Sequence, residues 1–490
     1  MKTVAERGIR QDENNRLRDA AEEIEAPTSD AARAKLYEAL DNMNKRYCVV
    51  RVGGKTLVAW FSPKRGREVI QYASFAAFRE YHANQKVLAK NDKDKLVPMP
   101  VAALWLAWPK RRTYDGVTFQ PDATEIVDDK LNLWRGFSVE PRKGDWSKMR
   151  AHTKDGLANG ISSFDDYLIR WSAWSIQNPA RPAEVTIVLK GQEGTGRGIF
   201  CRALMKIFGQ HGVHISSHQE LTGDFNVHLQ DCCLLFADEA FWPGDKSAEG
   251  TLKRLITEPS IPVQPKYVDR YYVPNVLKII MASNHHWVVP ASLVARRFAV
   301  NEVSDAKCGD QSYFKALYHE QENGGLEAMF YDLLHMELGD WHPRQDVPKT
   351  QELMRQKFNS LDPEDGWWLD VLSSGVLPWG CNESGVCPCH RLFDRYIAHA
   401  RKAGVSRRSI EVTLGIRLKT RVRGLERKWE SWKTWHNEEL CVEPGYVYRF
   451  PALKECRQDF TDALGQNIEW EEPEAAWVEE PKPVRENDHI

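Results

Sequence analysis

The segment Gly191-Gln-Glu-Gly194-Thr195-Gly196-Arg197-Gly198 follows an apolar run, Val185-Thr-Ile-Val-Leu189, and precedes Ile199-Phe-Cys-Arg-Ala-Leu-Met-Lys-Ile-Phe208, whose apolar positions fall at helical spacing. A strand, a tight glycine turn and a helix N-terminus aim backbone N–H groups and the positive end of a helix dipole at one point, which suits a chain of phosphates. Two positions depart from the usual phosphate loop. Arg197 stands where lysine is expected, and Gly198 where a serine or threonine hydroxyl is expected. Lysine acts there as a compact charge on a flexible stem, whereas arginine is longer, planar and forked. Arginine still binds phosphate well, so retained nucleotide affinity with slowed hydrolysis is the physical expectation. Thr195 is the nearest hydroxyl in the loop, at a position that does not obviously suit a metal ligand.

Three later elements carry compatible chemistry. Cys232-Cys-Leu-Leu-Phe-Ala-Asp238-Glu239 reads as a strand ending in two carboxylates. Asp238 would hold the Mg²⁺ of a bound nucleotide and Glu239 would polarise the attacking water. The plainer reading is a buried strand with a solvated acidic end. Val276-Leu-Lys-Ile-Ile-Met-Ala-Ser283-Asn284 is a second strand ending in polar residues, and the Asn284 amide could bond the γ-phosphate or the water; asparagine is also a common turn residue. Arg296 and Arg297, before Phe298, suit an arginine finger that reaches the γ-phosphate of a neighbouring subunit. Paired surface arginines are otherwise merely solvated.

The order of these elements resembles superfamily 3 helicases, a subgroup of the ring-forming AAA+ ATPases that serves viral and plasmid replication, and more narrowly the helicase domain of phage and prophage primase-helicases. Leu204-Met-Lys-Ile-Phe-Gly-Gln-His211, Leu221-Thr-Gly-Asp-Phe-Asn226, Phe236-Ala-Asp-Glu-Ala-Phe-Trp242, Leu252-Lys-Arg-Leu-Ile-Thr257 and Met281-Ala-Ser-Asn284 add to the likeness. It is specific over residues 185 to 303 and weaker from about 45 to 460. The resemblance implies an ATP- and Mg²⁺-dependent DNA helicase, working as a homo-hexameric ring on single-stranded or forked DNA in phage replication. Gly191, Gly194, Thr195, Gly196, Arg197 and Gly198 would form the phosphate loop, with Gly198 a trait the resemblance implies and Arg197 a local change, Asp238 and Glu239 the metal and water motif, Asn284 the sensor, and Arg296 or Arg297 the finger. Lys253 and Lys266 fall where the family leads into a DNA-contacting pore hairpin; Lys266 precedes Tyr267, so a phosphate contact and a base stack could stand side by side. Because of Arg197, a nucleotide-binding, hydrolysis-deficient DNA-assembly protein is the alternative. Primase chemistry is disfavoured: the stretch before the core is short and shows no acidic metal triad, so a primase or polymerase partner would be a separate chain.

The elements that must position these residues follow from patterning. From Val185 to about Val303 short apolar strands alternate with helical stretches, the signature of an α/β layer with a largely parallel sheet. The chain has 490 residues, 42% of them hydrophobic, and a formal charge of −2. That length allows roughly two to four domains. We expect a charged helical arm or linker over 1–44, a small α+β region over 45–178, the AAA+-type core over 179–361, a basic winged-helix-like domain over 362–465 and an acidic, disordered tail over 466–490. Within the second region Tyr-Cys-Val-Val-Arg-Val, Gly53-Gly54 and Thr-Leu-Val-Ala-Trp-Phe61 predict a hairpin. Tyr72 to Asn84, Val101 to Trp108 and Ser163 to Gln177 look helical.

Near-neutral charge hides segregation, since Arg391 to Lys428 holds twelve Lys or Arg against three Asp or Glu. A helix over His390 to Ala403, a turn, a basic helix over Arg407 to Arg423 and a strand pair near Val442 to Phe450 would place Arg407, Arg408, Arg417, Lys419 and Arg421 against DNA phosphates. A solvated basic face is the bland alternative. Cys381, Cys387, Cys389 and His390 gather four zinc-capable ligands, but their spacing lacks the paired gaps of a zinc knuckle, and reduced loop thiols are the default. No run of about 18 apolar residues exists and the N-terminus lacks a secretion-signal core, so a cytoplasmic protein of a bacterial host cell, with no membrane partner, is expected.

Overall fold

The computed structural model describes residues 30–64, 67–90, 95–223, 226–239, 246–264, 270–289, 296–378, 385–402, 409–436, 439–472 and 476–479. The helix Asp30–Arg46 buries Leu36, Leu40 and Met43 in a small core with Phe78 and Trp105. Residues 30–44 are therefore an integral part of the fold, correcting the reading of that stretch as arm or linker. The expected hairpin forms from Cys48–Val52 and Lys55–Lys64, with Gly53 and Gly54 both at positive φ, as the tight turn requires. Tyr72 lies within a third strand, Arg67–Ala73, and the helix there begins only at Phe75, where the Ser74 hydroxyl accepts from Ala77 N–H.

The central sheet has strands β1 (Thr186–Lys190), β2 (Gly212–Ile215), β3 (Leu234–Asp238), β4 (Lys278–Ser283) and β5 (Phe298–Glu302), ordered β2-β3-β4-β1-β5. All its pairings are parallel, and the strand residues are buried almost throughout, as a sheet covered on both faces demands. Helices α1 (Ser162–Gln177) and α2 (Arg197–Phe208) contribute to one core, while the other face packs Leu252, Leu255 and Ile256 of α3 (Lys246–Thr257). From β1 the chain runs out to β2 at one edge, returns through β3 and β4, and crosses to β5 on the far side of β1. A ligand crevice forms at the carboxyl ends of strands at such a switch point.

The expected boundary at residue 178 has no counterpart in the packing. One core joins Phe119, Leu133 and Trp146 with Trp171, Phe200, Phe208 and Phe330. After β5 come α4 (Gln311–Glu320), α5 (Leu326–Leu334) and α6 (Gln351–Asn359). A separate core holds α7 (Pro363–Ser374), α8 (Cys389–Lys402), α9 (Glu411–Arg421), α10 (Leu453–Leu464) and strands β6 (Val386–Pro388) and β8 (Glu439–Arg449), and β7 (Glu426–His436) pairs with β8. These strands pair antiparallel in the order β6-β8-β7, so the hairpin is longer than patterning suggested. The acidic tail is not wholly disordered: Trp477 is buried beside Trp368 and Phe450, its indole N–H bonds Pro451 O at 2.8 Å, and Val478–Glu479 pairs with Val376–Leu377. One apolar anchor amid carboxylates is enough to fold it back. Among the described residues no helix is long and apolar enough to cross a membrane.

Candidate functional site

The sheet register pairs Lys190 with Ser283 and Asp238 with Ala282, so β1, β3 and β4 end at one edge. There the glycine loop, the first turn of α2, the end of β3 and one face of α4 enclose a cavity of about 550 Å³. Gly191 N–H donates to Ser283 O at 3.0 Å and ties the loop to β4. Gly194 and Gly196 have φ of +79° and +86°, and Gly196 is the N-cap of α2. A Cβ on Gly196 would stand 2.6 Å from the His152 ring and 2.7 Å from Phe314, so this position admits only glycine. Thr195 is buried and its hydroxyl donates to Gln192 O at 2.9 Å, which commits it to shaping the loop.

Arg197 is the first residue of α2 and only 7% exposed. Its Nη2 lies 3.5 Å from Glu239 Oε1, and its buried Nη1 has no hydrogen-bond partner among the described residues. Lys190, just before the loop, does not replace the missing lysine, because it pairs with Glu352 at 3.1 Å and Glu302 at 3.6 Å. Glu239 has a φ of +54°, uncommon for a residue with a side chain, and its carboxylate accepts from Ser283 Oγ at 2.7 Å and Asn284 N–H at 2.9 Å. A strained backbone held by two hydrogen bonds marks a position that its surroundings over-determine. His285 Nε2 stands 3.9 Å from the same carboxylate. Asp238 lines the cavity with its carboxylate 3.7 Å from His214 Nε2 of β2. It is a partly exposed carboxylate of the kind that can ligate a divalent cation, although no group of three His, Cys, Asp or Glu side chains that could hold a metal ion occurs among the described residues. No hydroxyl stands ready beside it in the loop, since position 198 is glycine and Thr195 is engaged.

The other expected residues are dispersed. Asn284 is exposed, and what it gives the site is its backbone N–H rather than a side-chain bond. Arg296 and Arg297 are exposed at the start of β5, where Thr186 N–H donates to Arg297 O at 2.8 Å. That is the amino edge of the sheet, opposite the loop and about 15 Å away across a five-residue strand. Within one chain they do not meet the cavity. Lys253 pairs with Glu249 one turn earlier on α3. Lys266 lies outside the described residues, between strands Ser260–Val263 and Tyr271–Pro274, which pair antiparallel.

The basic helix needs correction. Arg417 and Arg421 of α9 each grip the buried Asp365 through Nε and Nη2, at 2.6 to 3.0 Å, and Arg417 also pairs with Asp362. Both guanidiniums are held on that buried carboxylate; Lys419 is exposed, and Arg407 and Arg408 lie outside the described residues. Cys387 is disulfide-bonded, against the expectation of reduced thiols, and is thereby removed from the zinc set; Cys389 is buried and free, and Cys381 lies outside the described residues.

Sequence reasoning missed several site residues. His152 lies in a π-helical turn, His152–Leu157, with Nε2 3.2 Å from Gly196 O and Nδ1 3.0 Å from Tyr313 OH; burial lowers its pKa. No local pattern announced it. Phe314 and Tyr318, one turn apart on α4, line the cavity opposite the loop. Arg202 also lines it, four residues after Gly198 on α2, a spacing that was readable.

The fold and site together define a parallel α/β protein with a glycine loop at a helix N-terminus facing paired carboxylates. Residues 189–297, which contain the loop, both carboxylates and both exposed arginines, match the model of a family of unknown function, DUF5906. The chain is 24% identical over 312 residues to the DNA Primase-polymerase of Nitratiruptor phage NrS-1. That match covers 60% of this chain and 41% of the relative, so the chain spans about two-fifths of that protein's length. Apo structures of the NrS-1 C-terminal region share the fold. One matches with a TM-score of 0.56 at 16% identity, covering 85% of this chain and 98% of the other; a second, in an A form, has a TM-score of 0.56 at 15% identity and covers 85% and 99%.

Proposed function

We propose that this chain is a nucleoside-triphosphate-driven DNA motor of phage replication, an AAA+ ATPase of superfamily 3 helicase type that works as a hexameric ring. The carrying observation is the convergence of the glycine loop, Arg197, Asp238 and Glu239 on one cavity at the sheet's switch point. The loop amides and Arg197 bind phosphate oxygens, and the face of α4 bearing Phe314 and Tyr318 offers rings for a base. Glu239, oriented by Ser283 and Asn284, polarises the attacking water. Mg²⁺ entering with ATP would be held by Asp238 and would neutralise phosphate charge. Arg296 and Arg297 stand at the opposite sheet edge, a position that suits reaching into a neighbouring copy's site. The likeness to a phage DNA Primase-polymerase and to the NrS-1 C-terminal region supports a replication role on DNA. In the C-terminal unit, α8, α9 and the β7–β8 hairpin suit a winged-helix module, with DNA contacts left to Lys419 and the wing.

One contact favours the second reading, a nucleotide-binding, hydrolysis-deficient assembly protein. Arg197 Nη2 sits 3.5 Å from Glu239 Oε1, so the arginine competes for the carboxylate that should polarise water. ATP turnover with and without single-stranded DNA, for the natural protein and Arg197→Lys, decides between them. DNA-stimulated turnover in the natural protein is expected. No turnover there and a large gain in the variant would sink the active motor.

A further inference from the structure

Position 198 holds a second clue. A Cβ built on Gly198 would stand 2.7, 2.8 and 2.9 Å from Nη1, Nη2 and Cζ of Arg202. Helical side chains lean back toward the N-terminus, so a long residue four positions on reaches the face of the first turn. The Arg202 guanidinium thus occupies the space in which a serine or threonine side chain at 198 would stand. Among the described residues no carboxylate forms an ion pair with it, and it lines the same cavity as Arg197, whose buried Nη1 is also without a partner. Two guanidiniums at the amino end of α2 add to the positive end of the helix dipole, an arrangement that cations disfavour. Glu239, 3.5 Å from Arg197, offsets part of that charge, and Asp238 supplies a further carboxylate on the cavity wall. An anion of several charges relieves the rest.

We propose that Arg197 and Arg202 form a two-guanidinium clamp that binds the polyphosphate of a nucleoside triphosphate without a divalent cation. The clamp rests on the nucleotide reading above and deepens it. Planar forks match phosphate oxygens in pairs, and the two arginines carry two of the three positive charges that a lysine and a hydroxyl-held divalent metal would bring. Binding is thereby separated from hydrolysis: ATP is held with or without Mg²⁺, while the role of Asp238 is confined to turnover.

The test is calorimetric titration of ATP into the full chain, in excess Mg²⁺ and in excess EDTA, for the natural protein, Arg202→Gln and Gly198→Ser. The natural protein should bind with affinities within about threefold of each other in the two buffers, and Arg202→Gln should bind about tenfold more weakly in EDTA, the loss expected for one charge-assisted contact. Gly198→Ser displaces a flexible side-chain end and adds a hydroxyl, so its affinity in EDTA should fall to that of Arg202→Gln while Mg²⁺ restores it. ATP binding that is lost in EDTA, or that Arg202→Gln leaves unchanged, overturns the clamp alone. Failure to bind ATP in either buffer overturns the nucleotide reading and the clamp with it.

Discussion

His211 joins the N-terminal region to the central sheet, and its chemistry predicts how that joint responds to acid. Its Nδ1 stands 2.7 Å from Asp231 O and its Nε2 2.9 Å from Arg135 N. The backbone N–H of Arg135 can only donate and the carbonyl of Asp231 can only accept, so Nδ1 carries the proton and Nε2 must stay bare. The ring is fully buried and stacks on Trp134 with centroids 4.6 Å apart. Burial pushes its pKa from 6.5 down to about 4, with Arg67 and Arg135 adding to the effect and the Asp231 carbonyl opposing it. Because the unfolded chain takes up the proton first, the stability it confers is complete above about pH 6.5 and is lost as the pH falls toward 4. That loss amounts to about 2 kcal/mol at pH 5 and about 3 kcal/mol at the limit. His211→Phe keeps the stacking and removes the titration, although it leaves two backbone groups unpaired and costs about 2 kcal/mol or more at neutral pH. Urea unfolding followed by tryptophan fluorescence should show the gap between natural protein and variant narrowing by about 2 kcal/mol between pH 7.5 and pH 5. A gap that stays constant with pH would refute the neutral, fixed tautomer.

The remaining expectations concern the glycine loop and the C-terminal brace. Gly196→Ala combines a φ of +86° with contacts of 2.6 and 2.7 Å to His152 and Phe314, so nucleotide binding by titration should fall at least about tenfold; unchanged affinity would remove the loop from the binding site. Asp365→Asn leaves Arg417 and Arg421 without their shared carboxylate, and calorimetric melting should show the C-terminal unit destabilised by about 3 kcal/mol. Burial pushes the Asp365 carboxyl up, but the hydrogen bonds and charges of Arg421 and Arg417 outweigh it and hold the pKa below its ordinary value. Its contribution is therefore present above about pH 4 and lost on further acidification, and a unit whose melting is indifferent to the substitution would contradict the brace.

Much of the fold was legible because periodicity and turn chemistry are local. The glycine pair at 53 and 54 announced its hairpin, and the apolar runs ending at Leu189, Asp238 and Ser283 announced three parallel strands. What escaped were facts decided by distant partners. Leu36, Leu40 and Met43 look like scattered apolar residues in a charged arm until Trp105 and Phe78 cover them. Trp477 is one ring in an acidic tail until Trp368 and Phe450 receive it. Arg417 and Arg421 read as a DNA-facing charge run because Asp365, which holds them, lies a helix and two strands earlier in the chain. Composition registers the charges of a segment and says nothing of their pairing.

The site divides along the same line. The loop, Asp238 and Glu239 were found because each ends an apolar strand, and parallel strands of equal register bring their ends together. His152 was not, since a π-helical turn carries no period and its target is a carbonyl of the loop itself. Between these cases lies Gly198. Taken as a missing hydroxyl it says little, because glycine there is a trait of the family the loop resembles, whereas Arg197 is a departure from it. Set beside Arg202 one turn on, the absence of a side chain becomes the condition for a guanidinium to lie over the first turn of α2. On the proposed clamp, Arg197 and Arg202 together stand where a lysine and a hydroxyl would, and a side chain at 198 would have to displace the second guanidinium.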